Sequence, residues 1–483
     1  MTYQESMEYL EELNVFGVSL GLVRITKLLE LMGNPQQAYK TVHVTGTNGK
    51  GSVSSMVTGI LQESGIKTGL YTSPHLSSYT ERMKIDGREC SEEDFAVALT
   101  VVRDVCQFMT GSGAEQPTQF EVLTAAAFWL FKEKKVEYAV IEVGLGGLLD
   151  STNVIVPAVS VITNVSLEHA DKCGGTLQGI AEHKAGIIKA GVPVVTGATD
   201  MPLQVIRATA AKLQAPVYVM GEDFQGDAQK PLAQLSIPPS LGMTTGGKLD
   251  KHLTDMQIEA LSKLPMTNCA TEALTKKRIQ LVGFQGKKAI FGNLNYRLSL
   301  LGLYQIGNSA IAAATAMVLA TEDLRITPHS IKQAMAQAAW PGRFELMTLE
   351  QQSVLLDGAH NPAGIKMLRQ SLDYYFPEEK RIFVLGILHD KDFTSMLSML
   401  LRPEDVVVLT TPLSERAADP QELLTLVANQ QKEAVAEPEQ ALARGLALGK
   451  SQGQADSLVI CAGSLYLIGS LREYARKICR KNN

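Results

Sequence analysis

The sequence predicts an α/β chain: an N-terminal P-loop-type domain on a mostly parallel sheet, then a C-terminal doubly wound α/β domain. Three observations predict it. A β-branched apolar run ends in Gly46-Thr47-Asn48-Gly49-Lys50-Gly51-Ser52 and continues into a helical pattern. Short apolar strands alternate with helical segments, and the pattern starts twice, as in parallel sheets covered on both faces. Charged residues gather just past the ends of several strands, where open α/β sheets bind ligands.

In chain order, the first set of strands is expected at Val42–Thr45, Thr68–Tyr71, Tyr138–Val143, Val159–Asn164, Val192–Thr196 and Val217–Met220. The alanine-rich stretch Leu303–Ala320 reads as a helix. A second set follows at Val354–Leu356, Ile382–Gly386, Val406–Leu409 and Leu458–Cys461, with helices at Pro362–Tyr374 and Gln421–Asn429. Residues 225–288, rich in Pro, Gly and Thr, lack this rhythm. They read as a surface insertion with one or two helices of its own, the alternatives being a lid or a partner surface. The expected domains are 1–298, carrying that insertion, and 299–483.

Composition narrows the function. The 483 residues are 45% hydrophobic and 20% charged, an ordinary globular balance. A net charge of -5 gives no reason to expect nucleic-acid binding. The six cysteines are scattered without a C-x-x-C pair, which speaks for free thiols in a reducing cytosol. No basic, apolar leader opens the chain and no uncharged run spans a membrane, so a cytoplasmic protein without a membrane partner is expected.

The glycine segment carries the strongest chemical signal. A strand that turns through glycines into a helix presents bare N–H groups and a positive helix end, a cradle for phosphate. Lys50 adds a cation, and Ser52 a hydroxyl at the helix start. The spacing departs from G-x-x-x-x-G-K-[ST], since two residues separate Gly46 from Gly49 and Gly51 follows Lys50. A turn that merely joins strand to helix is the plain alternative.

Glu142 ends a strand beside a glycine-rich turn, the place for a Mg²⁺ ligand or for a merely solvated acid. Asn164, Glu168 and His169 follow the next strand, and Ser73 or His75 in YTSPHL reaches toward the same crevice. Lys184 sits among His183, Ala185 and Gly186, company that suits a buried role; Lys189 reads as solvated. In the second domain Arg343 is placed to pair with a nucleotide or with an ordinary acid. Asp357 and His360 stand past a strand end, before Pro362 at a helix start. His389 to Asp392 follow another strand. Charged strand ends from both domains imply one cleft between them.

HVTGTNGKGS, YTSPHL, QFEVLTAAAF, EVGLGG-x-LD-x-TN, VITNVSLEH, HKAGIIK, WPGRFE, LDGAHNP and DKD occur in this order. Together they resemble the folylpolyglutamate synthase and dihydrofolate synthase family, relatives of the Mur ligases, over nearly the whole chain. The resemblance implies ligation of L-glutamate to a folate, with dihydropteroate as an additional acceptor, by a monomer using ATP and Mg²⁺ at two sites, a monovalent cation being allowed beside them. It implies that Gly46 to Ser52, Asn308, Arg343 and Asp357 hold ATP. Ser73, Glu142 and His169 would ligate metal, helped by a carbamylated Lys184. Asp357 and His360 would lie near the phosphates or the incoming glutamate, and Gln119, Phe120 and Glu121 on the pterin side. Leu148, where the family commonly has Arg, Glu168 in place of Asp, and His183 in place of Glu depart from the pattern. A Mur-type ligase with another acceptor, or a nucleotide-binding protein that has lost ligation, are the alternatives.

Overall fold

The computed structural model describes residues 1–14, 19–168, 172–229, 280–451 and 457–481. The first sheet comprises β1 (Lys40–Thr45), β2 (Thr68–Tyr71), β3 (Met83–Ile85), β4 (Arg88–Glu89), β5 (Tyr138–Glu142), β6 (Val159–Ile162), β7 (Val194–Thr196) and β8 (Val217–Val219). Their order is β4-β3-β2-β5-β1-β6-β7-β8, and only the β3 and β4 pairings are antiparallel. β1 therefore lies between β5 and β6, and the chain leaves it for β2, beyond β5. That switch opens a crevice at the carboxyl ends of the strands.

One face of this sheet is covered by the helix Lys50–Glu63, whose Val53, Met56, Val57, Ile60 and Leu61 are buried at helical spacing. The helices Leu303–Leu319 and Pro328–Gln337 bury their apolar residues in the same core. The other face packs on the helices Tyr3–Leu13, Glu92–Gly111 and Gln119–Glu133.

A small antiparallel sheet, unforeseen from sequence, joins β9 (Phe224–Gln229), β10 (Gln280–Gly286) and β11 (Leu294–Leu298) in the order β11-β10-β9. The two margins of the expected insertion are thus paired strands. Glycines and glutamines in FQGDAQ and QLVGFQG mask their alternation. Gly226 is required by packing, because a Cβ there would stand 2.8 Å from the Ala310 methyl. The helices expected within 225–288 fall mostly at 230–279, outside the described residues.

The last sheet holds β12 (Glu345–Leu349), β13 (Gln352–Leu356), β14 (Lys380–Leu385), β15 (Val406–Leu409), β16 (Lys432–Ala434) and β17 (Ser457–Ala462). Its order is β12-β13-β17-β14-β15-β16, parallel except at β12, with apolar clusters on both faces. Among the described residues, no helix is long and apolar enough to cross a membrane.

Candidate active site

The loop after β1 is built as the glycines require. Gly49 caps the helix Lys50–Glu63 at φ +87°, a left-handed conformation suited to glycine, and a Cβ there would press on the Asn308 side chain. The loop is tied to the end of β6. The Asn48 N–H donates to Asn164 Oδ1 at 3.0 Å, and Asn164 Nδ2 returns a bond to the Asn48 carbonyl at 2.8 Å. Thr163 Oγ1 donates to the same carbonyl at 2.6 Å. Lys50 Nζ curls over the loop, donating to the carbonyls of Gly46 and Thr47 at 3.1 and 3.2 Å. The Ser52 hydroxyl accepts from Gln305 Nε2 at 3.1 Å, and Gln305 Oε1 accepts from Asn308 Nδ2 at 2.9 Å. The start of the phosphate-loop helix is thereby braced by the helix Leu303–Leu319.

A large cavity, about 2150 Å³ including its open mouth, runs between this loop and the C-terminal domain. Thr47 to Ser52, Ser73, Glu142, Glu168 and, beside Gly49, Asn308 line one side; Arg343, Asp357 and His360 line the other. The structure therefore brings together in one cleft most of the residues singled out from sequence. Gly46 and Lys184 line a smaller adjoining cavity with Lys50 and Glu168.

Glu142 is buried, and the hydrogen bond it receives, from the Ser73 N–H, is long at 3.4 Å. Burial pushes its carboxyl up to about 7, against the pull of the Lys50 charge. Lys184 shows the complementary effect: burial, then the charge of Lys50, draws its ammonium down to about 7. Thr176 caps its helix, Leu177–Ala185, by accepting from the Gly179 N–H at 3.0 Å. Leu148 and His183 meet here, the Leu148 N–H donating to the His183 carbonyl at 2.7 Å. Lys189, expected in solvent, is half-buried and donates to the Asn153 carbonyl at 3.1 Å.

The C-terminal wall is pre-ordered. Asp357 accepts from the Phe344 and Ala359 N–H groups and the Tyr304 hydroxyl, each at 2.8 Å. It thus fixes the turn that carries Arg343. His360 Nδ1 lies 2.7 Å from the Gly358 carbonyl oxygen, and its Nε2 lies 3.4 Å from Glu168 Oε1. Asn361 Nδ2 donates to Glu168 Oε1 at 2.8 Å and to Asn48 Oδ1 at 3.2 Å. Burial alone would raise the Glu168 carboxyl. The hydrogen bond and charge of His360, with Lys50 and Asn361, outweigh it and hold this acid well below the usual range.

Two expected substrate contacts are engaged elsewhere. Gln119 donates to the Leu10 carbonyl at 2.9 Å and the Tyr79 hydroxyl at 3.2 Å. Glu121 is fully buried, capping its own helix and pairing with Arg24 at 3.0 Å. Only Phe120 of the three faces the cleft wall, its ring so close that a Cβ on Gly144 would collide with it. His169 lies outside the described residues. Asn361 and Gln305 were not picked out as functional from sequence; the only signal for Asn361 was its place between His360 and Pro362.

Among the described residues, no three His, Cys, Asp or Glu side chains form a metal cluster. The donor set still suits Mg²⁺, which keeps its waters and substrate phosphates and asks for one or two protein oxygens. Glu142, buried and poorly paired beside the phosphate loop, is such an oxygen donor.

A strand-to-phosphate-loop domain joined across a cleft to a second α/β domain defines a Mur-type ATP-dependent ligase. Residues 44–233 match the family model "Mur ligase middle domain", and residues 343–474 match "Dihydrofolate synthetase, C-terminal domain". The folylpolyglutamate synthase of Lacticaseibacillus casei is 33% identical over 480 residues, covering 98% of each chain. A probable bifunctional folylpolyglutamate synthase/dihydropteroate synthase of Haloferax volcanii is 33% identical over 473 residues; the match takes in 98% of this chain and 50% of that one, so the chain spans about half its length. The solved structure of Escherichia coli FolC in complex with DHPP and ADP superposes with a TM-score of 0.78 at 26% identity, covering 99% of this chain and 98% of that chain. The chain belongs to the folylpolyglutamate synthase/dihydrofolate synthase family, and it is an ATP-dependent ligase.

Proposed function

We propose that this enzyme joins L-glutamate to the carboxyl group of a reduced folate, and also to dihydropteroate. The acceptor carboxylate attacks the γ-phosphorus of ATP, ADP departs, and an acyl phosphate forms. The amine of glutamate then attacks the acyl carbon, phosphate leaves, and the amine loses a proton. The observation that carries this reading is the shared cleft: the phosphate loop and Glu142 face Arg343, Asp357 and His360 across it.

Each residue has a role in that scheme. The N–H groups of Gly46 to Ser52 cradle the phosphates, and Lys50 swings from the loop carbonyls to offset phosphoryl charge. Asn308, beside Gly49, and Arg343, from the opposite wall, bind the nucleotide, with Asp357 holding Arg343 in place. His360 stands where the acyl phosphate and incoming glutamate meet. Ser73, Glu142 and His169 would hold Mg²⁺, which neutralises charge on the transferring phosphoryl oxygens. Lys184, drawn down to about 7 by burial, has the neutral amine that adds CO₂ to give a carbamate and release a proton, supplying a further anion. Domain closure over the cleft keeps water from the activated carboxyl.

The test is phosphate release by the purified enzyme with ATP, Mg²⁺ and L-glutamate, adding dihydropteroate or a reduced folate monoglutamate separately. Stimulation by both is expected. Stimulation by neither overturns the reading.

A further inference from the structure

A second cavity, about 710 Å³ including its open mouth, adjoins the nucleotide cleft. Ser73, Pro74, Glu142 and Arg343 line both, so these residues form a shared wall. The loop after β2 borders the second cavity on one side and the C-terminal helix Leu465–Lys481 on another. Loop and helix are pressed together: a Cβ on Gly469 would strike the Leu76 backbone, and one on Gly342 would stand 3.4 Å from the Leu76 side chain. This contact sets Arg472 and Arg476, one helical turn apart, on the cavity beside Lys84.

Four cations, Lys84, Arg343, Arg472 and Arg476, line this cavity against three acids, Glu81, Glu89 and Glu142, and Glu89, across the strand pair from Lys84, accepts from the Thr80 hydroxyl at 3.5 Å. Glu81 is occupied by the N–H groups of Leu76, Ser77 and Ser78 at 2.8, 2.9 and 3.0 Å. Glu142 is the carboxylate assigned to metal. Arg472 is pinned through Nε to both oxygens of Glu345 at 2.9 and 2.8 Å. Its outer nitrogens, and all of Arg476, have no ion pair among the described residues. Lys84 stands over the Trp340 ring, 5.6 Å from its centroid, also without an ion pair among the described residues. A planar guanidinium fork, a second arginine and an ammonium at the edge of an acyl-transfer site suit a ligand with two carboxylates on a short apolar stem.

We infer that this cavity binds the carboxylates of a glutamate, with Lys84, Arg472 and Arg476 as its recognition residues. The inference rests on the ligase reading above and names the subsite for one of its substrates. The same chemistry is presented by free L-glutamate and by the glutamyl end of a folate acceptor. Dihydropteroate, which has no glutamate, separates the two.

The experiment measures KM for ATP, L-glutamate and each acceptor in the wild type and in Arg476→Ala, Arg476→Lys and Lys84→Ala. The alanine variants are expected to raise one KM roughly tenfold, the worth of one charge-assisted hydrogen bond. KM for ATP stays within about twofold, and Arg476→Lys recovers part of the loss. A rise for L-glutamate with either acceptor assigns the cavity to the incoming amino acid. A rise for the folate alone, with dihydropteroate and L-glutamate unchanged, assigns it to the acceptor's tail. Unchanged KM values, or a fall in kcat alone, overturn the inference and leave the ligase reading intact. A wild type without acceptor-stimulated phosphate release overturns both.

Discussion

Glu142 ends β5 and Glu168 follows β6, the two strands that flank β1, and both face the phosphate loop. Glu142 receives one long N–H bond and is pushed up to about 7 by burial. Glu168 is nearly as enclosed, yet His360 and Asn361 from the other domain hold it low. The same side chain at neighbouring strand ends is thus incomplete in one place and satisfied in the other. A buried carboxylate short of partners suits a cation that arrives with substrate. One already clasped across the cleft fixes the two domains in register. The partner, not the burial, separates a carboxylate left open to a cation from one held across the cleft.

Breaking the incomplete side should have the largest effect. Glu142→Gln is expected to lower acceptor-stimulated phosphate release on the order of 10³-fold, the scale of losing a group that neutralises phosphoryl charge. Lys50→Ala should match it, with far-UV circular dichroism unchanged in both. Turnover above one-tenth of wild type in either variant would remove that residue from the phosphate machinery. Lys184→Ala is expected to lose roughly 10²-fold. Short carboxylic acids should restore part of that activity by replacing the anion of a carbamate; absence of rescue at every concentration counts against carbamylation.

Breaking the satisfied side should do less. Glu168→Gln keeps a hydrogen-bonding oxygen for Asn361 and loses only the charge facing His360, so kcat/KM for ATP should fall about tenfold. With His360→Ala the losses should not add. A double-mutant cycle on thermal stability is expected to give a coupling of about 1 kcal/mol, and full additivity would dissolve the hold across the cleft.

Legibility in the sequence divides along similar lines. The parallel strands of both large sheets except the short, polar Lys432–Ala434, and the loop Gly46 to Ser52, were readable because each signal is local: apolar runs, glycines, a lysine. The antiparallel strands Phe224–Gln229 and Gln280–Gly286 were not, since their partners lie some fifty residues apart and glycines blur their pattern. Gln119 and Glu121 looked like substrate contacts by position in a motif. The fold turns them to Leu10 and Arg24, partners that no spacing rule reveals. Asn361, from the second domain, and Gln305, on a helix 253 residues further along the chain than Ser52, became visible only when they were laid against the phosphate loop.

The smallest expected effect is also the sharpest, because the two carboxylates should titrate with opposite sign. In metal-free, nucleotide-free protein, Glu142 rises from the usual 4.5 to about 7. Between those values the native state holds more protons than the unfolded chain, so stability falls as pH rises. Glu142→Gln lacks that group, and its melting-temperature advantage over wild type should open between pH 4.5 and 7 and stay constant above. Glu168 is held below the usual 4.5, so the native state holds fewer protons than the unfolded chain in acid. Its contribution is complete above about pH 4.5 and is lost as pH falls. The deficit of Glu168→Gln relative to wild type should therefore be flat at neutral pH and close on acidification. Differential scanning calorimetry in a chelating buffer reads both. Two variants with parallel pH profiles would show that the strand ends on either side of β1 are alike, and the division into an open and a held carboxylate would fall.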